Sequence, residues 1–197
     1  VWWSAQAVAA EPTATLDEQA ETLLAEAIDT QQLAGLSAGI SIDGEIVWLG
    51  AAGFADLENR VPATAEMVHR IASITKPQTA VAVMQLVEAG KVDLDGTLQD
   101  YIDFPEKPWP VRIRQVLGHT SGIRHYNLTD SRSTNHYRRL VDAMRLFQDD
   151  PLKFEPDTDY GYTTFGYVTL GAVIEAVSGE TYGDYMHAHV WQPSGMD

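Results

Sequence analysis

The sequence contains no cysteine, and lysine occurs only four times, as Lys76, Lys91, Lys107 and Lys153. The absence of cysteine excludes disulfide bonds, thiol nucleophiles and cysteine-ligated metal sites. Basic residues are scarce, 13 against 28 acidic ones, which leaves a formal net charge of −15. A surface of this sign repels nucleic acid and anionic membranes, so we expect neither as a partner.

Long apolar runs are also missing from the chain. No stretch reaches the roughly 20 apolar residues that a transmembrane helix needs, so we predict no transmembrane segment. The 197 residues, 45% of them hydrophobic, are enough for one sizeable core, or for one domain and part of another.

Residues 1–10 are apolar and almost uncharged. They end in Ala7-Val8-Ala9-Ala10, a small-residue pattern that resembles the end of a signal peptide. We interpret residues 1–10 as a signal-peptide remnant and predict an exported protein, periplasmic or secreted. The alternative interpretation is a frayed terminus without a targeting role.

The region 11–72 is predicted to begin with a helix. Thr15 and Glu18 form a capping box, in which each side chain accepts from the other residue's backbone N–H. Apolar residues then recur at helical spacing, which extends the prediction over the next turns. Gly35 is the expected end signal of this helix.

A hairpin is predicted to follow this helix within the same region. Two strand-like runs, 36–42 and 45–50, are separated by Asp43-Gly44, and this dipeptide favours a tight hairpin turn. A two-stranded hairpin is marginal by itself. We therefore expect the sheet to be completed by further strands beyond residue 197, or by strands of another chain.

The region 73–197 is predicted to be mainly helical. Helical spacing of apolar residues marks five segments, which are 74–89, 111–117, 135–147, 165–177 and 181–191. The first of these is apolar on most sides, which is typical of a buried helix. The expected fold class is therefore α+β, an antiparallel sheet with flanking helices beside an all-helical region.

Ser73 and Lys76 are the first candidate site residues, in the run Ser73-Ile74-Thr75-Lys76 at the start of an apolar helix. Residues at i and i+3 share a helix face, so the lysine can act on the serine hydroxyl. A serine needs such a partner to become a nucleophile. The alternative is a serine that caps the helix and a solvated lysine, and this short pattern alone favours that alternative.

Tyr162 is the third candidate, in a loop between a Pro156-Asp157 turn and the next helix. Loops commonly display functional side chains. A tyrosinate beside a cationic lysine is a competent general base, because the opposite charge stabilises the phenolate. The alternative role of any tyrosine is packing, which we assign to four others, Tyr160, Tyr167, Tyr182 and Tyr185.

Other candidate sites carry weaker signals. His187 and His189 are two residues apart and would point to different sides of a helix, so no metal site is predicted. His119 and Ser121 allow a serine–histidine arrangement on composition alone, but no Gly-x-Ser-x-Gly elbow supports it. We expect His119 to act as a turn element that braces the site, and we predict no cofactor.

Several motifs in order resemble the serine β-lactamase and penicillin-binding-protein superfamily, in its class C-like branch of β-lactamases, esterases and D-aminopeptidases. The resemblance extends over nearly all of residues 35–197 and is strongest to mitochondrial serine β-lactamase-like proteins and their bacterial relatives. The runs that carry it are Ser73-Ile74-Thr75-Lys76, Tyr162-Thr163-Thr164-Phe165-Gly166-Tyr167, His69-Arg70-Ile71-Ala72-Ser73, Gly90-Lys91-Val92-Asp93-Leu94-Asp95 and His119-Thr120-Ser121-Gly122-Ile123-Arg124-His125-Tyr126.

The resemblance implies a β-lactamase-like fold and a role for each matching position. Ser73 would be the acylated nucleophile, Lys76 would activate it, and Tyr162 would be the general base for acylation and help to activate the deacylating water. Thr164 stands where many relatives carry asparagine. This departure puts in question a hydrogen bond to Lys76 and one to a substrate amide, because a hydroxyl offers fewer donors and acceptors than an amide.

The third motif of the superfamily is Lys or His, then Thr or Ser, then Gly, and it is absent from this sequence. In the superfamily it supplies one of two oxyanion-hole donors, and the backbone N–H of Ser73 would be the other. Loss of one donor typically lowers kcat by ~10²–10³. We therefore expect this chain by itself to be inactive, with a C-terminal half of the same protein as its partner.

Two functions remain open at this point. The first is a serine hydrolase that acts through a covalent acyl-enzyme on a small-molecule or peptide substrate, namely an ester, an amide or peptide, or a β-lactam. The second is a non-catalytic or filament-forming scaffold of the same fold. Self-association into a homo-oligomer is compatible with both functions.

Overall fold

The computed structural model describes residues 14–196, so the predicted signal-peptide remnant lies outside the described residues. The described chain forms two compact units, which meet in sequence between Arg70 and Ile71. The first unit contains a sheet and one helix, and the second is helical. No helix within 14–196 is both long and apolar enough to cross a bilayer.

The first unit opens with helix α1, Leu16–Gln31. The predicted capping box is confirmed, since the Glu18 carboxylate accepts from the Thr15 N–H at 2.8 Å and Thr15 Oγ1 accepts from the Glu18 N–H at 3.3 Å. The predicted end at Gly35 is wrong. Gln32 takes the left-handed conformation, with φ of 53°, and ends the helix three residues earlier.

The sheet has the order β1-β2-β3 and is antiparallel, with β1 at Gly35–Ile42, β2 at Glu45–Asp56 and β3 at Val61–Pro62. The predicted hairpin turn is confirmed. Asp43 and Gly44 both have positive φ, 51° and 84°, as the tight two-residue turn requires. The short third strand was not predicted, because two residues give no periodicity to detect.

The described part of the second unit contains six α-helices joined by loops, with short 3₁₀ and π turns before α2, between α2 and α3, and after α7. They are α2 at Thr75–Glu88, α3 at Ile113–Leu117, α4 at Leu128–Ser131, α5 at Leu140–Met144, α6 at Thr164–Ser178 and α7 at Tyr182–Met186. Helix α6 is central, since α2, α3, α5 and α7 all pack against it. Its buried residues Leu170, Val173 and Ile174 form the middle of the core.

Three helix predictions in this unit need correction. The helix predicted over 135–147 is only Leu140–Met144, and the one predicted over 181–191 is α-helical only to Met186 before it widens into a π turn. The first helix of the unit was expected to be buried on most sides, but Val81 and Met84 are 49% and 41% exposed. Apolar spacing therefore overestimated both helix length and burial.

Glu175 explains why α5 and α7 begin where they do. Its carboxylate lies on α6, is 2% exposed, and accepts from the backbone N–H groups of Leu140 and Tyr182 at 3.0 and 3.1 Å. These residues open α5 and α7, whose first N–H groups have no partner within their own helix. Arg139 Nε donates to the same carboxylate at 3.1 Å. One buried carboxylate thus fixes two helix starts.

We predict that Glu175→Ala lowers the free energy of unfolding by about 3 kcal/mol, because it leaves the N–H donors of Leu140 and Tyr182 without their acceptor and leaves a cavity where the buried side chain was. Chemical denaturation followed by circular dichroism measures the change. The matched control is Glu88→Ala at an exposed position of α2, for which we expect a change within about 0.5 kcal/mol. Equal effects of the two substitutions would contradict the assigned role.

Candidate active site

Ser73 is an exposed residue in a 3₁₀ turn, Ala72–Ile74, directly before α2. The preceding residue, Ala72, has φ of 45°, in the left-handed region that residues with a Cβ rarely adopt. Such strain costs on the order of 1–3 kcal/mol and is typical of functional sites. The strained turn offers the serine side chain to solvent at the start of the helix.

Lys76 lies in the first turn of α2 and is only 9% exposed. Its ammonium donates to Ser73 Oγ at 3.2 Å and to Thr164 Oγ1 at 3.1 Å. The alternative of a serine cap and a solvated lysine is therefore wrong, because no side chain caps α2 and the lysine is buried. Thr164 stands where many relatives carry asparagine, and this difference put a hydrogen bond to Lys76 in question. The contact shows that the threonine hydroxyl makes this hydrogen bond.

Tyr162 lies in the loop before α6, and its hydroxyl donates to Ser73 Oγ at 2.7 Å. The Lys76 ammonium is 4.8 Å from the centre of the Tyr162 ring. The pKa of the Tyr162 phenol is held below its ordinary value, most by the neighbouring Lys76 ammonium and then by the hydrogen bond with Ser73. Burial acts in the opposite direction and does not overcome these effects.

Four side chains thus meet at one point, although they come from segments far apart in the sequence. Tyr162 and Ser73 are 89 residues apart, and Thr164 and Lys76 are 88 residues apart. Ser73 Oγ lies between an ammonium and a phenol, each within hydrogen-bond distance. This arrangement can remove the proton of the serine hydroxyl and return it to a leaving group.

Two histidines hold the Tyr162 loop in place, and the sequence alone did not single out the second of them. His119 Nδ1 accepts from the Thr163 N–H and His125 Nδ1 accepts from the Thr164 N–H, both at 3.1 Å. The Thr163 hydroxyl donates to the Arg124 carbonyl at 2.8 Å. The segment 119–125, which carries the histidines, therefore lies alongside the Tyr162 loop and forms several hydrogen bonds with it.

Asp157 anchors the other end of this loop. Its carboxylate accepts from Gln115 Nε2 at 2.6 Å and from Thr120 Oγ1 at 2.7 Å, and these two hydrogen bonds lower its pKa. The Pro156-Asp157 turn was recognised in the sequence, but the partners of its carboxylate were not. The partners belong to α3 and to the turn after it, which only the folded chain brings near.

The alternative serine–histidine arrangement is not formed. Ser121 is fully buried, and its Oγ accepts from the Ile123 N–H, while the His119 ring lies against Tyr162 with centroids 4.6 Å apart. His189 contacts Glu180 at 3.2 Å, and residues 14–196 contain no group of three side chains arranged to hold a metal ion.

The packing role predicted for four tyrosines is correct for three of them. Tyr182 donates to or accepts from Thr79 Oγ1 at 2.7 Å, Tyr167 donates to the Leu117 carbonyl at 3.1 Å, and Tyr185 is 6% exposed. Tyr160 is 64% exposed and does not pack in the core.

A pocket of ≈180 Å³ lies beside the Lys76–Thr164 contact, between α2, α5, α6 and α7. Its lining is largely apolar, and Leu140, Val168 and Tyr182 form much of its wall. Lys76 and Thr164 form the part of the wall next to Ser73. The pocket is therefore an apolar space beside Lys76, the residue whose ammonium contacts Ser73 Oγ.

Residues 20–197 match the family model described as Beta-lactamase. The chain belongs to the beta-lactamase family. The fold agrees with this assignment, since solved structures similar to it include homologues of penicillin-binding proteins and a D-amino acid amidase, and the chain shows the mixed α and β architecture expected of the family.

Three proteins that are similar to this chain show what kinds of relatives it has within and around the beta-lactamase family. The mitochondrial serine β-lactamase-like protein LACTB of Homo sapiens is 32% identical over 86% of this chain and 44% of its own length. Esterase EstB of Burkholderia gladioli is 30% identical over 93% of this chain and 51% of its own. The octameric penicillin-binding protein homologue of Pyrococcus abyssi has a TM-score of 0.78 and 29% identity over 91% of this chain and 43% of its own. The chain thus spans about half or less of the length of each.

We predict that Tyr162 ionises at a lower pH than an ordinary tyrosine and that Tyr167, whose pKa is raised mainly by burial, ionises at a higher pH. Carbon-13 NMR of the labelled tyrosine rings measures both transitions. Lys76→Met removes the main cause of the lowered pKa and should move the Tyr162 transition upward. A Tyr162 transition that does not respond to this substitution would contradict the assigned cause.

Proposed function

We propose that this chain carries the nucleophilic site of a serine hydrolase that forms a covalent acyl-enzyme. The single observation that supports this most is the position of Ser73 Oγ, 3.2 Å from Lys76 Nζ and 2.7 Å from the Tyr162 hydroxyl. A serine hydroxyl flanked by a cation and a phenol of lowered pKa has a positive charge beside it and, once the phenol ionises, a proton acceptor.

Acylation follows from this geometry. Tyr162, in its phenolate form, takes the proton of Ser73 Oγ, and the oxygen attacks the carbonyl carbon of the substrate. The Lys76 ammonium stabilises the phenolate and the developing negative charge. The bond from the carbonyl carbon to the leaving group then breaks, and Tyr162 returns the proton to that group. Deacylation repeats these steps with water as the nucleophile.

Thr164 keeps the Lys76 ammonium in position for these steps. It accepts a hydrogen bond from Lys76 across α2 and α6, and its own backbone N–H is bonded to His125. We propose that Thr164 orients the lysine and lines the substrate side of the site, where it also forms part of the pocket wall. Its single hydroxyl can make this contact without the second donor of an amide.

The substrate class is proposed as an ester, an amide or peptide, or a β-lactam. The names of the relatives support this range, since one is an esterase, one is a homologue of penicillin-binding proteins and one is called β-lactamase-like. The apolar pocket beside Lys76 supports a substrate with an apolar group near its reactive carbonyl. The filament-forming alternative does not require the Ser73–Lys76–Tyr162 contacts, which this chain retains.

We also propose that the protein associates with itself and that it is exported. Self-association is supported by the similar penicillin-binding protein homologue of Pyrococcus abyssi, which is octameric, and static light scattering of the purified protein tests it. Export is supported by the composition of residues 1–10, whereas the human relative is called mitochondrial.

We predict that, in the protein assembled with the C-terminal half that its sequence leads us to expect, a fluorophosphonate probe adds once to this chain and that Ser73→Ala abolishes the adduct. The serine oxygen displaces fluoride from phosphorus, so the intact mass rises by the mass of one phosphonyl group. Ser121→Ala is the matched control and should still be labelled, because Ser121 is fully buried. Labelling of Ser73→Ala at the wild-type rate, or no labelling of the wild type, would contradict the proposal.

We predict that Thr164→Val slows this labelling by about tenfold, because the Lys76 ammonium loses one of its two hydroxyl acceptors, at a cost of roughly 1.4 kcal/mol. Valine keeps the shape of threonine, so the comparison removes the hydroxyl alone. Thr164→Ser restores a hydroxyl and should recover most of the rate. Equal rates for the valine and serine variants would show that the hydroxyl is not needed.

A further inference from the structure

His119 and His125 accept hydrogen bonds from two consecutive backbone N–H groups at the start of α6. His119 Nδ1 accepts from Thr163 and His125 Nδ1 accepts from Thr164, each at 3.1 Å. Thr163 is the N-cap of α6, and its own hydroxyl accepts from the Gly166 N–H at 3.0 Å. The first N–H groups of a helix have no partner within the helix, and here two imidazoles and one hydroxyl supply acceptors.

These contacts fix the protonation state of both rings. A histidine nitrogen accepts a hydrogen bond only when it carries no proton, so each ring must be neutral, with its proton on Nε2. A protonated ring has donors at both nitrogens and would place an N–H against a backbone N–H. A positive charge at the start of a 15-residue helix is also unfavourable, because the helix dipole is positive at that end.

Both rings also touch the side chain of Tyr162. The centroid of the Tyr162 ring is 4.6 Å from that of His119 and 5.5 Å from that of His125. The backbone of His119 adds a further bond, since its carbonyl accepts from the Gly161 N–H at 2.9 Å. Tyr162 is therefore held on both sides, and its hydroxyl is aimed at Ser73.

The surroundings of the two rings favour their neutral form. Burial lowers the pKa of both histidines, and the charge of Lys76 lowers both further. A positive charge on His125 also lowers the pKa of His119. Other neighbouring groups that titrate or carry charge come from α2, from the loop 119–126, from the loop 157–162 and from α6, and these are Lys76, Arg124, Tyr126, Asp157, Tyr160, Tyr162 and Tyr167.

We propose that His119 and His125 are positioning residues that hold the segment Tyr162–Thr164 in its catalytic geometry through unprotonated Nδ1 atoms, and that protonation of either ring releases this segment. The proposal rests on the proposed function for its effect on chemistry. The proposal adds a second reason why the reactivity of Ser73 falls at low pH, and this reason does not lie in the protonation of Lys76 or Tyr162. Neither histidine touches the reacting atoms, so both act through the loop.

The sign of the pH effect follows from the lowered pKa of the two rings. An ordinary histidine titrates near about 6.5, so at higher pH both rings are neutral and the contacts are complete. Between that value and the lower pKa of the folded state, the unfolded chain binds more protons, so stability falls as pH falls. As pH falls through the lowered pKa, the contacts break and the reactivity of Ser73 declines.

The first test compares fluorophosphonate labelling rates from pH 8 to pH 5. Asparagine can place an acceptor oxygen near the position of Nδ1 but does not titrate, so His119→Asn and His125→Asn should retain labelling at pH 8 and each weaken the acid decline. The double variant should lose the part of the decline that comes from the histidines and keep only the part that comes from protonation of the Tyr162 phenolate. His119→Leu removes the acceptor and should lower the rate at pH 8 by about 10²-fold. His187→Asn, at an exposed turn, is the control and should keep the wild-type profile.

An unchanged acid decline in the double asparagine variant would overturn the proposal, as would a leucine variant as reactive as the wild type. A second test needs no activity. Nitrogen-15 NMR should show both Nδ1 atoms unprotonated at pH 7.5, and the amide signals of Thr163 and Thr164 should shift with the titration of the two rings. A proton on either Nδ1 at that pH, or insensitive amide signals, would overturn the positioning role even if Ser73 is labelled, while absence of labelling with these NMR signatures would overturn only the proposed function.

Discussion

The buried ammonium of Lys76 is the interaction on which the site depends. Lys76 is only 9% exposed as a residue, and a buried charge is tolerated only when other groups replace its water. Here the hydroxyls of Ser73 and Thr164 accept from it, and the rings of Tyr162 and Tyr167 lie 4.8 and 5.7 Å away. Removing any of these groups weakens the solvation of the charge, so the side chains around Lys76 form one unit with it.

Helix α6 connects this charge to the rest of its unit. Its first residue, Thr164, contacts Lys76, and the loop before it carries Tyr162. Near its other end, Glu175 fixes the starts of α5 and α7 by accepting their backbone N–H groups. The helix therefore organises both the site and the packing around it, and its buried apolar middle holds the two ends at a fixed separation.

Local signals in the sequence determined much of the fold. The Thr15–Glu18 capping box, the Asp43-Gly44 turn and the Ser73-Ile74-Thr75-Lys76 run each depend on residues close in the chain, and the structure has the expected local geometry at all three. Together with the later Tyr162 motif, the last of these runs pointed to the family. Spacing of apolar residues failed where a distant polar group decided, as at Leu140, where the Glu175 carboxylate starts the helix later than the pattern suggested.

The side chains that act together are brought into contact by helix packing and not by any local signal in the sequence. Thr164 accepts a hydrogen bond from Lys76, which is 88 residues away in the sequence, and two histidines accept hydrogen bonds from the backbone after Tyr162. The partners in each of these hydrogen bonds are far apart in the chain. No periodicity or local spacing records such contacts, because their geometry is set by the packing of α2 against α6. The chemical groups and the local turns could be read from the sequence alone, whereas the distances and protonation states of these groups are set by the packing of the helices.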